Sequence, residues 1–150
     1  MASKRQTLLD YLVDTLLPGI TTGAGYNFDI GLIQRGQRDP EDIADSQYPC
    51  VFIGATDESR ENITVNQFQA ELEVTLIGGI KSPDGVSGAQ KNMDKFIADV
   101  TKIIMTDHKQ GGRVFSTNVR RIRTDHGDLD VRAIFVMTVV FRYATEGTIP

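Results

Sequence analysis

The sequence predicts an α+β domain: a mixed, mostly antiparallel sheet with two main helices packed on it and a long C-terminal β-hairpin. Three observations carry this. Ala89, Met93, Phe96, Ile97, Val100, Ile103 and Ile104 recur at helical spacing. Phe68 to Leu76 and Leu129 to Tyr143 alternate apolar residues with others, the period of a strand. Strand patterns also come in runs and do not alternate one by one with helices, which favours α+β over a parallel α/β sheet. A chain of 150 residues suits a single domain, 1–150.

The first helix is read from Lys4 to Leu17. Leu8, Leu9, Leu12, Val13, Leu16 and Leu17 form one stripe, Ser3 is placed as its N-cap, and Pro18-Gly19 stops it. Thr21 to Gly25 reads as loop. Tyr26, Phe28, Ile30 and Leu32 alternate and predict a half-buried strand. Gly36 to Ser46 is polar and acidic, a loop with room for one helical turn. The continuous apolar run Val51, Phe52, Ile53 predicts a short strand within Tyr48 to Gly54, covered on both faces.

Thr56 to Asn62 reads as a charged loop. The next strand runs through Leu76. Ile63 and Val65 are out of phase with it, and a turn or bulge near Asn66 would repair the phase. Gly78 to Gly85 reads as a flexible link. Ser87-Gly88-Ala89-Gln90 has the form of a capping box for the second helix, which runs to about Met105. Val114 to Arg123 predicts a strand, Asp125 to Asp128 a turn, and Leu129 to Tyr143 the final strand. At about 3.3 Å per residue that strand spans roughly 50 Å, so its ends are expected to project or to pair outside the subunit.

Composition narrows the chemistry. Hydrophobic residues are 40% and charged residues 24%, a globular mixture and not a disordered one. Cys50 is the single cysteine, which removes an intrachain disulfide and a Cys-rich zinc site. Nothing ties His108 or His126 to it, so it reads as a buried structural thiol. Gly23-Ala24-Gly25 follows a helix, whereas a phosphate loop follows a strand and opens a helix. Asp125-His126-Gly127-Asp128-Leu129-Asp130 gathers carboxylates and an imidazole but departs from the calcium-loop pattern, and reads as a polar turn. Glu71 and Glu73 share one strand face and read as solvated. No catalytic, cofactor or metal residue is assigned. After Lys4 and Arg5 the apolar stretch is broken by Asp10 and Asp14, so no secretion signal is read. The apolar run Ala133 to Phe141 is far short of the roughly 20 residues of a membrane helix.

Charge is more informative. Asp39 to Glu73 holds nine acids against Arg60, while Lys102 to Arg142 holds eight bases against four acids. An acidic and a basic half favour head-to-tail association, which gives a ring if the rotation closes. Arg120, Arg121, Arg123 and Arg132 are the candidate intersubunit or tube contact. Asp39, Glu41, Asp42 and Asp45 are its candidate acidic partner.

The layout resembles the tail terminator (tail completion, tail-to-head joining) proteins of long-tailed bacteriophages. The resemblance rests on the amphipathic helix ending at Pro18, the strand leading to Arg35-Gly36, and Tyr48-Pro49 before Cys50 to Ile53 with Asp57-Glu58 after it. It continues through the long strand to Leu76, the Gly-rich link, the helix to Ile104, and the close Phe141-Arg142-Tyr143 with Gly147 to Pro150. The resemblance implies a structural virion protein without catalysis or cofactor, made in the host cytoplasm. It would form a hexameric ring on the head-proximal end of the tail tube, bound to the tube protein and to the neck or connector. DNA would pass through the lumen without specific binding.

Three other readings compete. One is another neck, connector or tube-like virion protein, told apart by its place on the particle. Another is a small hotdog-type thioesterase, although those set their main helix early and this chain sets it after Ser87. The last is a nucleic-acid-binding module on the basic hairpin, whose mark would be salt-dependent DNA binding.

Overall fold

The architecture is taken from a computed structural model, which describes residues 3–36, 43–64, 67–81, 85–106, 109–124 and 132–146. Five strands form one sheet: β1 (Leu32–Arg35), β2 (Cys50–Thr64), β3 (Gln67–Lys81), β4 (Ser116–Thr124) and β5 (Arg132–Glu146). Their order across the sheet is β1-β2-β3-β5-β4. β1 is parallel to β2 and every other pair is antiparallel. The class is therefore α+β, with β4 and β5 forming the C-terminal hairpin.

Helix α1 (Lys4–Tyr11) is capped by Ser3, whose hydroxyl accepts from the Gln6 amide at 3.1 Å. It continues through a π turn, Leu12–Leu16, and a 3-10 turn, Leu17–Gly19, where Pro18 denies the chain another amide donor. Helix α2 (Gly85–Thr106) begins before Ser87, so that residue lies inside the helix and does not cap it.

Both helices cover the same face of the sheet. Ala133, Phe135, Met137, Val139, Phe141 and Tyr143 of β5 all turn to that face, as do Ala70, Leu72, Val74, Leu76 and Ile80 of β3. They meet Leu8, Leu9 and Leu12 of α1 and Met93, Phe96, Val100 and Ile104 of α2. A smaller cluster on the opposite face joins Ile43, Cys50 and Phe52 with Leu32, Tyr48 and Ile77. The Tyr48–Pro49 peptide beside it is cis.

Four further expectations are corrected. Tyr26, Phe28 and Ile30 do alternate in burial, but they lie in a loop and the strand begins only at Leu32. Their backbone is held by a side chain: the Asn27 and Phe28 amides donate to the Asp99 carboxylate at 3.0 and 3.1 Å. Thr56 to Asn62 is strand and not loop, since β2 continues through it opposite β3. Gly78 and Gly79 sit inside β3, opposite Phe135 and Ile134. Finally, β5 does not project alone. β3 pairs with all 15 of its residues, Gln67 to Lys81 against Glu146 to Arg132.

Candidate functional site

Three register shifts decide which charges face outward. One extra residue enters β2 between Ile53 and Thr56, another shift falls between Asn62 and Thr64, and β4 shifts between Val119 and Arg121. Each one-residue slip inverts facing. The first shift leaves Asp57, Ser59 and Glu61 on the face away from the helices, opposite Glu73, Glu71 and Gln69 of β3. Arg120 is the unpaired extra residue of the β4 bulge, between Val119 opposite Val139 and Arg121 opposite Thr138.

From that bulge Arg120 reaches across β5 to β3. Its guanidinium donates to Glu71 Oε1 at 3.0 Å and also to Glu73. Arg142 of β5 adds an ion pair to Glu71 at 3.4 Å. The Arg120 hydrogen bond, helped by the charge of Arg142, holds the Glu71 carboxyl below its ordinary value. A carboxylate with a depressed folded value contributes stability above its unfolded value, and that stability is lost as pH falls through the folded one. Glu71→Gln is therefore expected to lower the urea midpoint at pH 7, and the difference from wild type should shrink in acid, below the ordinary glutamate range. An equal difference at pH 7 and in acid would contradict this.

The four acids and bases in this cluster neutralise one another in mid-sheet. Exposed charge is left on β2 and β4: Asp57 and Glu61 on β2, beyond its pairing with β1, and Arg121 and Arg123 on β4. No described carboxylate lies within ion-pair distance of either of these two arginines. Both strands are open there. β1 covers β2 only from Cys50 to Ile53, so among the described residues Gly54 to Thr64 is paired on one side alone. β4 ends the sheet.

The helix-covered face carries a second polar group at the same end. Arg60 grips Glu58 with two bonds of 3.0 and 2.9 Å, and the Tyr143 hydroxyl donates to Glu58. Burial and then Glu58 push the Tyr143 hydroxyl above its ordinary range. A notch lined by Lys4, Thr7, Gly112 and Arg113 opens nearby. Both of its cations are engaged: Lys4 donates to the Ala144 carbonyl, and Arg113 stacks 4.2 Å from the Tyr11 ring centroid.

Of the residues singled out from sequence, Arg120 is committed to its own chain, while Arg121 and Arg123 are exposed. Arg132 opens β5 opposite Lys81, and Asp45 opens a 3-10 turn, Asp45–Gln47. Asp39, Glu41 and Asp42 lie outside the described residues, as do the turn or bulge read near Asn66, His108, His126 and the turn from Asp125 to Asp130. Asp57 and Glu61 are not among the contacts read from sequence, although Asp57, Ser59 and Glu61 recur with the period of a strand face. Glu71 and Glu73, read as solvated, are ion-paired. Cys50 is 1% exposed, and burial pushes its thiol up to about 11, which leaves it protonated at neutral pH.

Among the described residues, no group of three or more His, Cys, Asp and Glu side chains is placed to hold a metal ion. No described helix is long and apolar enough to cross a membrane. No protein-family model matches the chain. No curated protein sequence matches it.

Proposed function

We propose that this protein is a structural virion subunit that caps the head-proximal end of a phage tail tube as a ring, hexameric by the family resemblance. The ring ends tube polymerisation and offers a docking surface to the neck or connector, with DNA passing through its lumen. Two things support the reading: the whole-chain resemblance to tail terminators, and one observation from the structure. That observation is the uncompensated charge of opposite sign on two open edges of one sheet. Surfaces of this kind fit each other and not themselves, which suits head-to-tail closure.

The test uses purified tail tubes growing from their own subunits. Added protein is expected to stop elongation and to sit at one tube end only, as a closed ring in negative stain. Tubes that lengthen unchanged, or protein bound along their sides, would refute the capping role. A ring found on the neck and not on the tube would favour the connector reading.

A further inference from the structure

We infer that the open edges of β2 and β4 are the two halves of one contact with a second copy of this chain: β4 of one copy extends the sheet of the next along Gly54 to Thr64 of β2. The inference rests on the ring-forming reading above and names the surface through which it would act.

Direction fits first. β2 and β5 run one way, β3 and β4 the other. A neighbour placed in the same orientation therefore lays its β4 antiparallel to β2, the commoner kind of pairing. Length fits next. β2 has 15 residues, four of them taken by β1, which leaves eleven for the nine of β4.

Charge then selects the partner. The continued sheet keeps Arg121, Arg123, Asp57 and Glu61 on one face. With Arg123 opposite Asp57, Arg121 falls opposite Ser59 and one diagonal step from Glu61, within reach of a long side chain. Pairing β4 with β4 would set arginine against arginine, and β2 with β2 would set acid against acid. Like charges directly opposite are destabilising, so the same residues that favour the head-to-tail contact oppose both symmetric ones.

A consequence for shape follows. Arg123 stands level with Val136 and Ile77, whereas Asp57 stands level with Glu73, four residues earlier in β3. β1 blocks the lower part of the β2 edge. A neighbour can dock only when displaced about 13 Å along the strands. Repeating that stagger tilts the strands against the axis of a closed ring, as barrel closure requires.

The experiment is sedimentation velocity on four full-length samples, each checked for native circular dichroism: wild type, R121E/R123E, D57K/E61K, and an equimolar mixture of the two variants. Wild type is expected to associate beyond the dimer without any tube. Each variant alone carries one sign on both edges and should associate about a hundredfold more weakly. The mixture restores opposite charges at every contact and should recover assembly with alternating subunits in equal numbers. Undiminished association of either variant alone would overturn the contact, and so would a mixture that stays dissociated. A wild-type chain that remains monomeric also overturns it. The capping role stands or falls separately, on the tail-tube assay.

Discussion

Alanine in place of Gly78 is expected to destabilise the protein by about 3 kcal/mol, the top of the usual range for overpacking a core. Glycine inside a strand normally weakens it, so the default expectation has the opposite sign. Here the ring of Phe135 lies over the glycine from the paired strand. A Cβ at residue 78 would stand 2.2 Å from Phe135 Cζ and 2.3 Å from Cε1. The ring has nowhere to go: Phe135 is buried and meets Phe96 edge-on at 5.8 Å between centroids. Thermal unfolding should show a midpoint roughly 6–12 °C lower, at about 2–4 °C per kcal/mol for a domain of this size. The check on mechanism is the double variant G78A/F135L. Its cost should be less than the sum of the two single costs, because removing the ring removes the clash. Additive costs would show that the ring is not the obstacle.

The second large effect is expected at Asp99. This carboxylate is 3% exposed and accepts from both the Asn27 and Phe28 amides and from Asn27 Nδ2 at 3.0 Å. Asp99→Ala would leave the Asn27 and Phe28 amides without this acceptor, at about 1–3 kcal/mol for each donor kept from water, while Asn27 Nδ2 keeps the Lys95 carbonyl at 3.4 Å. A total near 3 kcal/mol is expected, since the loop can turn part of its backbone to water. Asp99→Asn keeps one acceptor oxygen and loses the charge, and should cost about half as much. The loop carries Phe28, whose ring packs edge-on against Phe96 at 6.0 Å, so freeing it also loosens the core. Hydrogen exchange is the direct readout. The Asn27 and Phe28 amides should exchange much faster in Asp99→Ala while those of β3 and β5 slow or quicken only with global stability. Unchanged protection at Asn27 and Phe28 would remove Asp99 from this role.

Both effects bear on what the sequence discloses. Apolar periodicity reports which way a side chain faces, and it located α2, β3 and β5 because each has one continuous apolar face. It does not report what the backbone is bonded to. Tyr26, Phe28 and Ile30 face the core alternately, yet their amides donate to the Thr21 carbonyl, the Asp99 carboxylate and the Ile20 carbonyl and to no strand, and the same pattern serves loop and strand. The clue to Asp99 was its place three residues after Phe96 and four before Ile103, an acid on the flank of a buried stripe. The outer half of β2 carries no apolar face at all. Its inward residues Glu58 and Arg60 answer Tyr143 and each other, so no hydrophobic rhythm marks the strand. Gly78 reads as a breaker until its partner across the ladder is known. The charged surface was half legible for the same reason. Net sign along the chain reveals an acidic and a basic region, but pairing consumes Glu71, Glu73, Arg120 and Arg142. Only the register shows that Asp57, Glu61, Arg121 and Arg123 remain.

The equal length of β3 and β5, matched residue for residue over 15 positions, makes the sheet a directional mechanical element. Ladder hydrogen bonds lie across the strands. A pull along the strands loads the whole ladder in shear, and every bond shares it. A pull across them opens the ladder one bond after another, as a zip opens. The molecule is therefore stiff along one axis and peels along the other, and the outermost strands β4 and β1 are where peeling begins.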